Sequence, residues 1–461
     1  VVAGSVLGSY ISLGANNDTI RFSSTLASST VSSGDNDDSL FFAAGISVST
    51  IDAGAGNDLI SLTGALVSAS VFGGAGSDQI TVSTSVGAGN LISLDAGTDL
   101  ASFSTLVSGA SVYGGNEADT LIFSGVVSNA TIDAGSGDDS ISFGSSFVSS
   151  TLLAGSDNDL VAFATSLGGG NLVSLGLGDD QATFSGAVSS VAIYGGQGND
   201  SMLFNSSVIG ATVDAGASVD YLVFSGVVNN STIGGGNGTY QFSTSADTIV
   251  FGVIGDPTET VIGAPIVNLN DGNDSALFKG YSGISLDAGA GVDTLLFSSS
   301  IDGTISGVYS AGEFVSFGSG VANIAFTSEV NSSTVVGSAV GDSLRFAQAV
   351  SSISLDAGAG NDTLIFASTA SGVITGLGGR ELVSFSNGGA TVLFNTGIGS
   401  GSTIQFGNVA DNATFSGTVA AASVLSGAGN DSLVFANTVS GATIDANLGN
   451  DLLTFSSHVT N

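Results

Sequence analysis

Residues 354–366 read SLDAGAGNDTLIF, and most of the chain restates that stretch. An acid follows an apolar residue. A short glycine loop leads to a second acid, and an alternating apolar run closes on phenylalanine. Close copies stand at residues 50–62 (TIDAGAGNDLISL), 131–143 (TIDAGSGDDSISF), 285–297 (SLDAGAGVDTLLF) and 443–455 (TIDANLGNDLLTF). The second acid recurs at Asp18, Asp38, Asp58, Asp78, Asp99, Asp119, Asp139, Asp159, Asp180, Asp200 and Asp220, in steps of 20 or 21. It continues less evenly at Asp247, Asp274, Asp293, Glu313, Asp342, Asp362, Glu381, Asp411, Asp431 and Asp451. Four residues after these 21 acids, 19 positions are phenylalanine, from Phe22 to Phe455; Leu62 and Val82 are the exceptions. A fixed period of this length marks a repeat architecture.

Two residues after each acid stands another apolar column, beginning Ile20, Leu40, Ile60 and Ile80. Period-two alternation is the mark of a strand with one buried face. A second apolar segment follows, as at Val127, Ala130 and Ile132. Each repeat thus reads as two short strands, joined on one side by the glycine loop and on the other by a serine-rich turn. Recurrent glycine with valine, isoleucine and threonine argues against helix. One such unit cannot bury its own apolar face, but stacked units can. The expected fold is all-β: a right-handed parallel β-solenoid of about 20-residue coils with a glycine/aspartate loop on one edge. At a strand spacing of ~4.8 Å, the coils would make a rod of roughly 100 Å.

Steps of 27, 27, 29 and 30 residues precede Asp247, Asp274, Asp342 and Asp411. They read as loops bulging from the solenoid. Residues 1–231 are expected to form a regular solenoid. Residues 232–266, which hold both prolines (Pro257 and Pro265), form an irregular insertion or boundary, since proline belongs outside a parallel ladder. Residues 267–461 form a less regular solenoid with loop insertions. Val2 occupies the phenylalanine column one unit before Phe22, and Val459 lies in the strand segment after Phe455. Chain ends inside coils would leave strand edges open, to be covered by neighbouring sequence or another subunit. The start at Val1, without methionine, suggests a processed product or part of something longer.

Acids outnumber bases 39 to 4, for a net charge of −35, yet 43% of residues are hydrophobic and 27 are phenylalanine. Disordered acidic chains lack that apolar content, so the charge sits on a folded body and calls for a counter-charge from outside the sequence. Nucleic-acid binding is not expected, since four cations cannot neutralise a phosphate backbone. The absence of cysteine excludes disulfides. No apolar run approaches the ~18–20 residues of a membrane helix, so membrane insertion is not expected.

The loop DAGAGND supplies the chemistry. Its glycines permit positive φ and so can aim carbonyls at one point. Hard cations take several carboxylate and carbonyl oxygens at flexible geometry, which fits calcium better than magnesium; zinc would want histidine or cysteine clusters, and none is present. GGAGSD (73–78), GGQGND (195–200) and AGAGND (53–58, 357–362), with GAGND again at 427–431, resemble the RTX nonapeptide G-G-x-G-x-D-x-U-x, a calcium-binding parallel β-helix repeat. The resemblance covers most of the chain and is specific in about half the units. It implies that loop acids and loop carbonyls of successive turns enclose each calcium. In that family both loops of a coil carry the motif. Here one does, which implies a single row of metal along one edge.

The expected metal ligands are Asp18, Asp38, Asp58, Asp78, Asp119, Asp139, Asp159, Asp180, Asp200, Asp274, Asp293, Asp362, Asp431 and Asp451. Asp52, Asp133, Asp214, Asp287, Asp356 and Asp445, six residues before the register acid, are candidates for a second oxygen column. The bland alternative is that all these acids only cap turns. Against it, carboxylates stacked ~4.8 Å apart repel by about 1 kcal/mol per pair even at water's dielectric constant. The degenerate loops before Asp342 and Glu313 are expected to bind nothing. His458 reads as a surface histidine. Arg21, Arg345 and Arg380, each near a register acid, read as local ion pairs.

The functional expectation is an extracellular, secreted or cell-surface structural protein, not an enzyme. It would be a calcium-stabilised subunit of a bacterial surface layer or extracellular fibre that assembles with itself through coil ends or edges. A cell-surface polysaccharide is a candidate partner. The alternative is the stalk of a calcium-dependent RTX adhesin. An ice-binding solenoid ranks lower, because the loop position where a threonine row would stand carries Ala55, Ala75, Ala290, Ala359 and Ala428. A polysaccharide-active enzyme ranks lower still: one histidine and four cations leave little acid–base machinery.

Overall fold

The alternation read from the sequence becomes strands in a computed structural model. It describes residues 5–235, 237–242, 247–251, 261–262, 265–279, 281–308 and 311–461. Val2 and Pro257 lie outside the described residues. The chain divides into two compact units, Val1–Gly235 and Gly236–Asn461. Both are parallel β-solenoids of about 20-residue coils, and no helix occurs among the described residues.

A coil of the first unit has three strands where the sequence suggested two. Val127–Ser128, Thr131–Ser136 and Ser140–Phe143 are one example. Thr131 pairs with Thr151, Ser140 with Leu160 and Val127 with Phe147, all parallel. Within each strand the inward residues are buried and their neighbours face out. Phe103, Phe123, Phe143, Phe163, Phe184, Phe204 and Phe224 form one unbroken stack, with ring centroids 4.7 to 5.3 Å apart and planes within 10°. Each stacked pair adds about 0.5–1.5 kcal/mol beyond the area it buries. Two coils run to 21 residues because an extra residue enters the serine-side turn. There Asn90 and Asn171 fill the corner, their side-chain amides donating to the Gly87 and Gly168 carbonyls at 2.7 Å. Arg21 lies over the ring of Phe41, 3.8 Å from its centroid, a cation–π contact in place of the expected ion pair.

The second unit corrects the reading of the long steps. Where loops were expected before Asp342 and Asp411, the chain stays in strands. Phe314–Phe317 pairs with Thr334–Val336, not with Ser343–Phe346, which pairs instead with Ala322–Phe326. Likewise Leu382–Phe385 pairs with Thr403–Gln405, and Asn412–Phe415 pairs with Ala390–Phe394. A step of 29 or 30 is therefore one coil and a half. At each such step the strand that follows the acid moves from one sheet to the other. The phenylalanines accordingly form separate stacks: Phe278–Phe317, Phe326–Phe406 and Phe394–Phe455. Phe326, Phe394 and Phe406 stand outside the column counted from the sequence. They join it because a half-coil step turns the opposite strand into the one that leads from the acid.

Candidate functional site: a ladder of buried carboxylates

Each register acid ends the glycine loop and opens a strand, with its side chain turned into the corner of the coil. In the first unit the amide N–H of each acid from Asp18 to Asp200 donates to Oδ1 of the acid one coil on. Asp18 donates to Asp38, Asp119 to Asp139 and Asp200 to Asp220, and the whole series spans 2.6 to 3.0 Å. The acid's own carbonyl accepts from the next coil, as Ser140 N–H does to Asp119 O at 2.8 Å. One carboxylate oxygen therefore joins adjacent coils. The other, Oδ2, is buried without a hydrogen-bond partner in Asp38, Asp58, Asp78, Asp119, Asp139, Asp159, Asp180 and Asp200. Asp99 and Asp220 share this environment, although their loops lack the glycine pattern and they were not expected to be ligands. Their place in the 20-residue register was the signal that marked them. Asp18, in the first coil, contributes its amide.

Burial is the main cause of a raised carboxyl pKa along this ladder, with neighbouring acids adding to it. Asp58, Asp99, Asp139, Asp180 and Asp220 are pushed from 3.8 to about 6. Asp78 and Asp200 reach about 7, and Asp119 and Asp159 about 8. The corner offers oxygen without donors, so a proton or a cation has to meet it.

In the second unit the ladder breaks into blocks. Asp274 donates to Asp293 at 2.9 Å. A block on the other sheet's leading corner runs from Ala322 through Asp342, Asp362 and Glu381 to Ser402. A third block runs from Ala390 through Asp411 and Asp431 to Asp451. Acids thus occupy both corners in turn, where one edge was expected. Oδ2 is unpartnered in Asp274, Asp293, Asp362, Asp411 and Asp431. Asp342 differs. Ala322 N–H and Ser338 Oγ–H bond its Oδ1, and Ser338 N–H bonds its Oδ2 at 2.6 Å. Both its oxygens are engaged by the protein itself.

The six acids proposed as a second column do not form one. Asp133 sits on the outer side of its strand, in register with Tyr113 and Leu153; Asp52 is flanked by Ser32 and Phe72 in the same way. Asp214, Asp287, Asp356 and Asp445 accept the N–H two residues on, at 3.0 to 3.2 Å. These are turn caps. A true second ladder runs through the residue before the register acid. Asp37, Asn57, Asp138, Asn158, Asp179 and Asn199 each accept the next coil's N–H, in the sense opposite to the inner ladder.

The serine-side corner shows what capping alone requires. There the Oγ of Ser49, Ser150 and Ser231 accepts the N–H of the preceding coil at 3.1 to 3.2 Å, and the hydroxyls of Ser49 and Ser150 donate to a carbonyl of their own coil. Ser402 does the same inside an acid block, taking Glu381 N–H at 3.0 Å and donating to Gly379 O. A hydroxyl completes the corner and leaves nothing unsatisfied. The carboxylate adds an oxygen that the fold does not use. Among the described residues no three acidic or histidine side chains converge on one point, so an ion at this corner would draw on main-chain oxygens as well.

Among the described residues no helix is long and apolar enough to cross a membrane. No family model matches the chain, and no curated protein does either. Among solved structures, it is similar to a hyperactive, Ca2+-dependent, β-helical antifreeze protein from an Antarctic bacterium. The match has 19% identity, covers 62% of this chain and 82% of that one, and has a TM-score of 0.31, at which the likeness settles neither ligand nor function.

Proposed function

We propose that the chain is a calcium-stabilised structural solenoid of the cell exterior, a building block of a bacterial surface layer or extracellular fibre that assembles with itself. The observation that carries the reading is the ladder of buried, unpartnered Oδ2 atoms at corners that a serine could have capped. An oxygen-only lining of carboxylates and carbonyls suits calcium. The residues that would hold it are Asp38, Asp58, Asp78, Asp99, Asp119, Asp139, Asp159, Asp180, Asp200 and Asp220 in the first unit, and Asp274, Asp293, Asp362, Asp411 and Asp431 in the second. The ion supplies positive charge where no side chain does. Millimolar calcium outside the cell would load sites of the modest affinity usual for extracellular modules. The resemblance of the loops to RTX repeats supports the same reading.

Circular dichroism and light scattering during a calcium titration of EGTA-treated protein test it. Cooperative gain of β-structure followed by growth into large assemblies is expected. β-structure that forms with calcium but stays monomeric would point to a stalk. A chain fully folded in EGTA and indifferent to calcium would refute the metal ladder.

A further inference from the structure

Five residues before the register acids from Asp58 to Asp220, one inward position varies between coils: Ala53, Gly73, Leu94, Gly114, Ala134, Ala154, Leu175, Gly195 and Ala215. Gly73, Gly114 and Gly195 do not have positive φ. They lie inside strands, where glycine costs roughly 0.5–1 kcal/mol relative to alanine, and alanine stands at the same register in neighbouring coils. Backbone conformation therefore does not explain them; space does. A Cβ on Gly73 would lie 2.5 Å from Asp78 Oδ2 and 2.7 Å from the Leu94 carbonyl oxygen. On Gly114 it would lie 2.7 Å from Asp119 Oδ2 and 2.2 Å from Ala134 O, and on Gly195 2.5 Å from Asp200 Oδ2 and 2.1 Å from Ala215 O. In each case the glycine keeps open the gap between a carboxylate oxygen and a carbonyl of the next coil. The three carboxylates are 98 to 99% buried, and those oxygens have no hydrogen-bond partner.

Resting on the calcium reading above, we infer that Gly73, Gly114 and Gly195 mark the tight cation sites of the first unit. There an ion is held between Asp78, Asp119 or Asp200 and the carbonyl of Leu94, Ala134 or Ala215. In coils with alanine or leucine the side chain narrows that gap, and the ladder acid is left with a weaker site. The position five residues before the acid thus selects which coils load first.

Tyr113 and Tyr194 immediately precede two of these glycines and can sensitise terbium(III) bound beside them. The test is terbium luminescence, with calcium calorimetry, on the full chain and on a Gly114→Ala/Gly195→Ala variant. Alanine is native at the sister positions, so the fold should persist, as circular dichroism would verify. The expected result is loss of most tyrosine-sensitised emission and of two tight calcium sites. Unchanged emission and site count would overturn the inference while leaving the calcium reading intact. A wild-type chain that binds neither ion would overturn both. If the double variant does not fold, Ala134→Gly decides: it should add a tight site beside Asp139, and no gain would overturn the inference.

Discussion

Replacing Asp139 by serine should stabilise the protein without calcium and lose that gain, or reverse it, with calcium. Asp139 Oδ1 accepts Asp119 N–H at 2.7 Å, and its Oδ2 has no partner. Serine retains an acceptor at this corner, as Ser402 does for Glu381 N–H at 3.0 Å. Burial raises the Asp139 carboxyl from 3.8 to about 6. At about 1.4 kcal/mol per pKa unit, holding that group in the metal-free fold at pH 7 costs on the order of 3 kcal/mol. Asp139 also raises the pKa of Asp119 and Asp159, so removing it relieves both neighbours. Less the packing lost with the larger side chain, Asp139→Ser should gain roughly 1–3 kcal/mol in EGTA, or several degrees in Tm for a unit of this size. With calcium a hundredfold above its Kd, each site stabilises the wild type by about 2.7 kcal/mol, which the variant forfeits. Thermal melts of both proteins in EGTA and in calcium read the sign directly. A variant less stable than wild type in both buffers would refute the reasoning and make the acid a plain turn cap.

The metal-free chain should lose stability as pH rises. Burial in the fold pushes Asp58 and Asp139 from 3.8 to about 6, Asp78 to about 7, and Asp119 and Asp159 to about 8. The fold holds protons that the unfolded chain has released, so stability is greatest below pH ~4, falls through the interval up to pH ~8 and is flat beyond. Urea midpoints in EGTA at pH 5 and pH 8 check this, and a higher midpoint at pH 8 would contradict it. Gly135→Ala should cost on the order of 3 kcal/mol or more, because Gly135 has φ +110° and its Cβ would stand 2.0 Å from Gly115 O; a near-neutral melt would show that the coils can spread. Val48 is a β-branched residue held at φ +48°, where the sister coils place Asn129 and Gly210. Val48→Asn should therefore gain about 1 kcal/mol, and a loss would show that its exposed side chain makes a contact worth more than the strain.

The coil was legible because Asp and Phe recur at fixed places, and a 20-residue period with inward apolar columns leaves little but a parallel stack. The half-coil steps were not legible, for a physical reason. The two long strands of a coil share the same apolar alternation, so a chain that swaps their roles keeps its pattern and merely lengthens one step. Phe326 and Phe394 carried the missing signal: each is a phenylalanine out of register that closes an alternating run, ANIAF and ATVLF. The short third strand, two residues such as Val127–Ser128, is too brief for periodicity to reveal.

The site was legible as a column of acids but not as an interior one. GAGND looks like an exposed loop, and Asn57 and Asn199 are indeed exposed, yet the aspartate beside each is buried. What decides the side chain's direction is its place as first residue of the inward-facing alternation, Asp58–Ile60–Leu62, two residues ahead of the apolar column. That placement is also why turn capping and metal binding could not be separated by composition. Both want an oxygen at the corner, and they differ only in whether a second oxygen is left over. Ser402 and Asp342 settle the difference from opposite sides. One caps the corner with a hydroxyl; the other is an acid whose two oxygens are both satisfied by the Ser338 turn and Ala322. Since the fold has these self-sufficient solutions and uses them sparingly, its repeated choice of a half-satisfied carboxylate would, on the calcium reading, make stability depend on a counter-ion. A solenoid built so would be firm where cations are plentiful and weak where they are scarce.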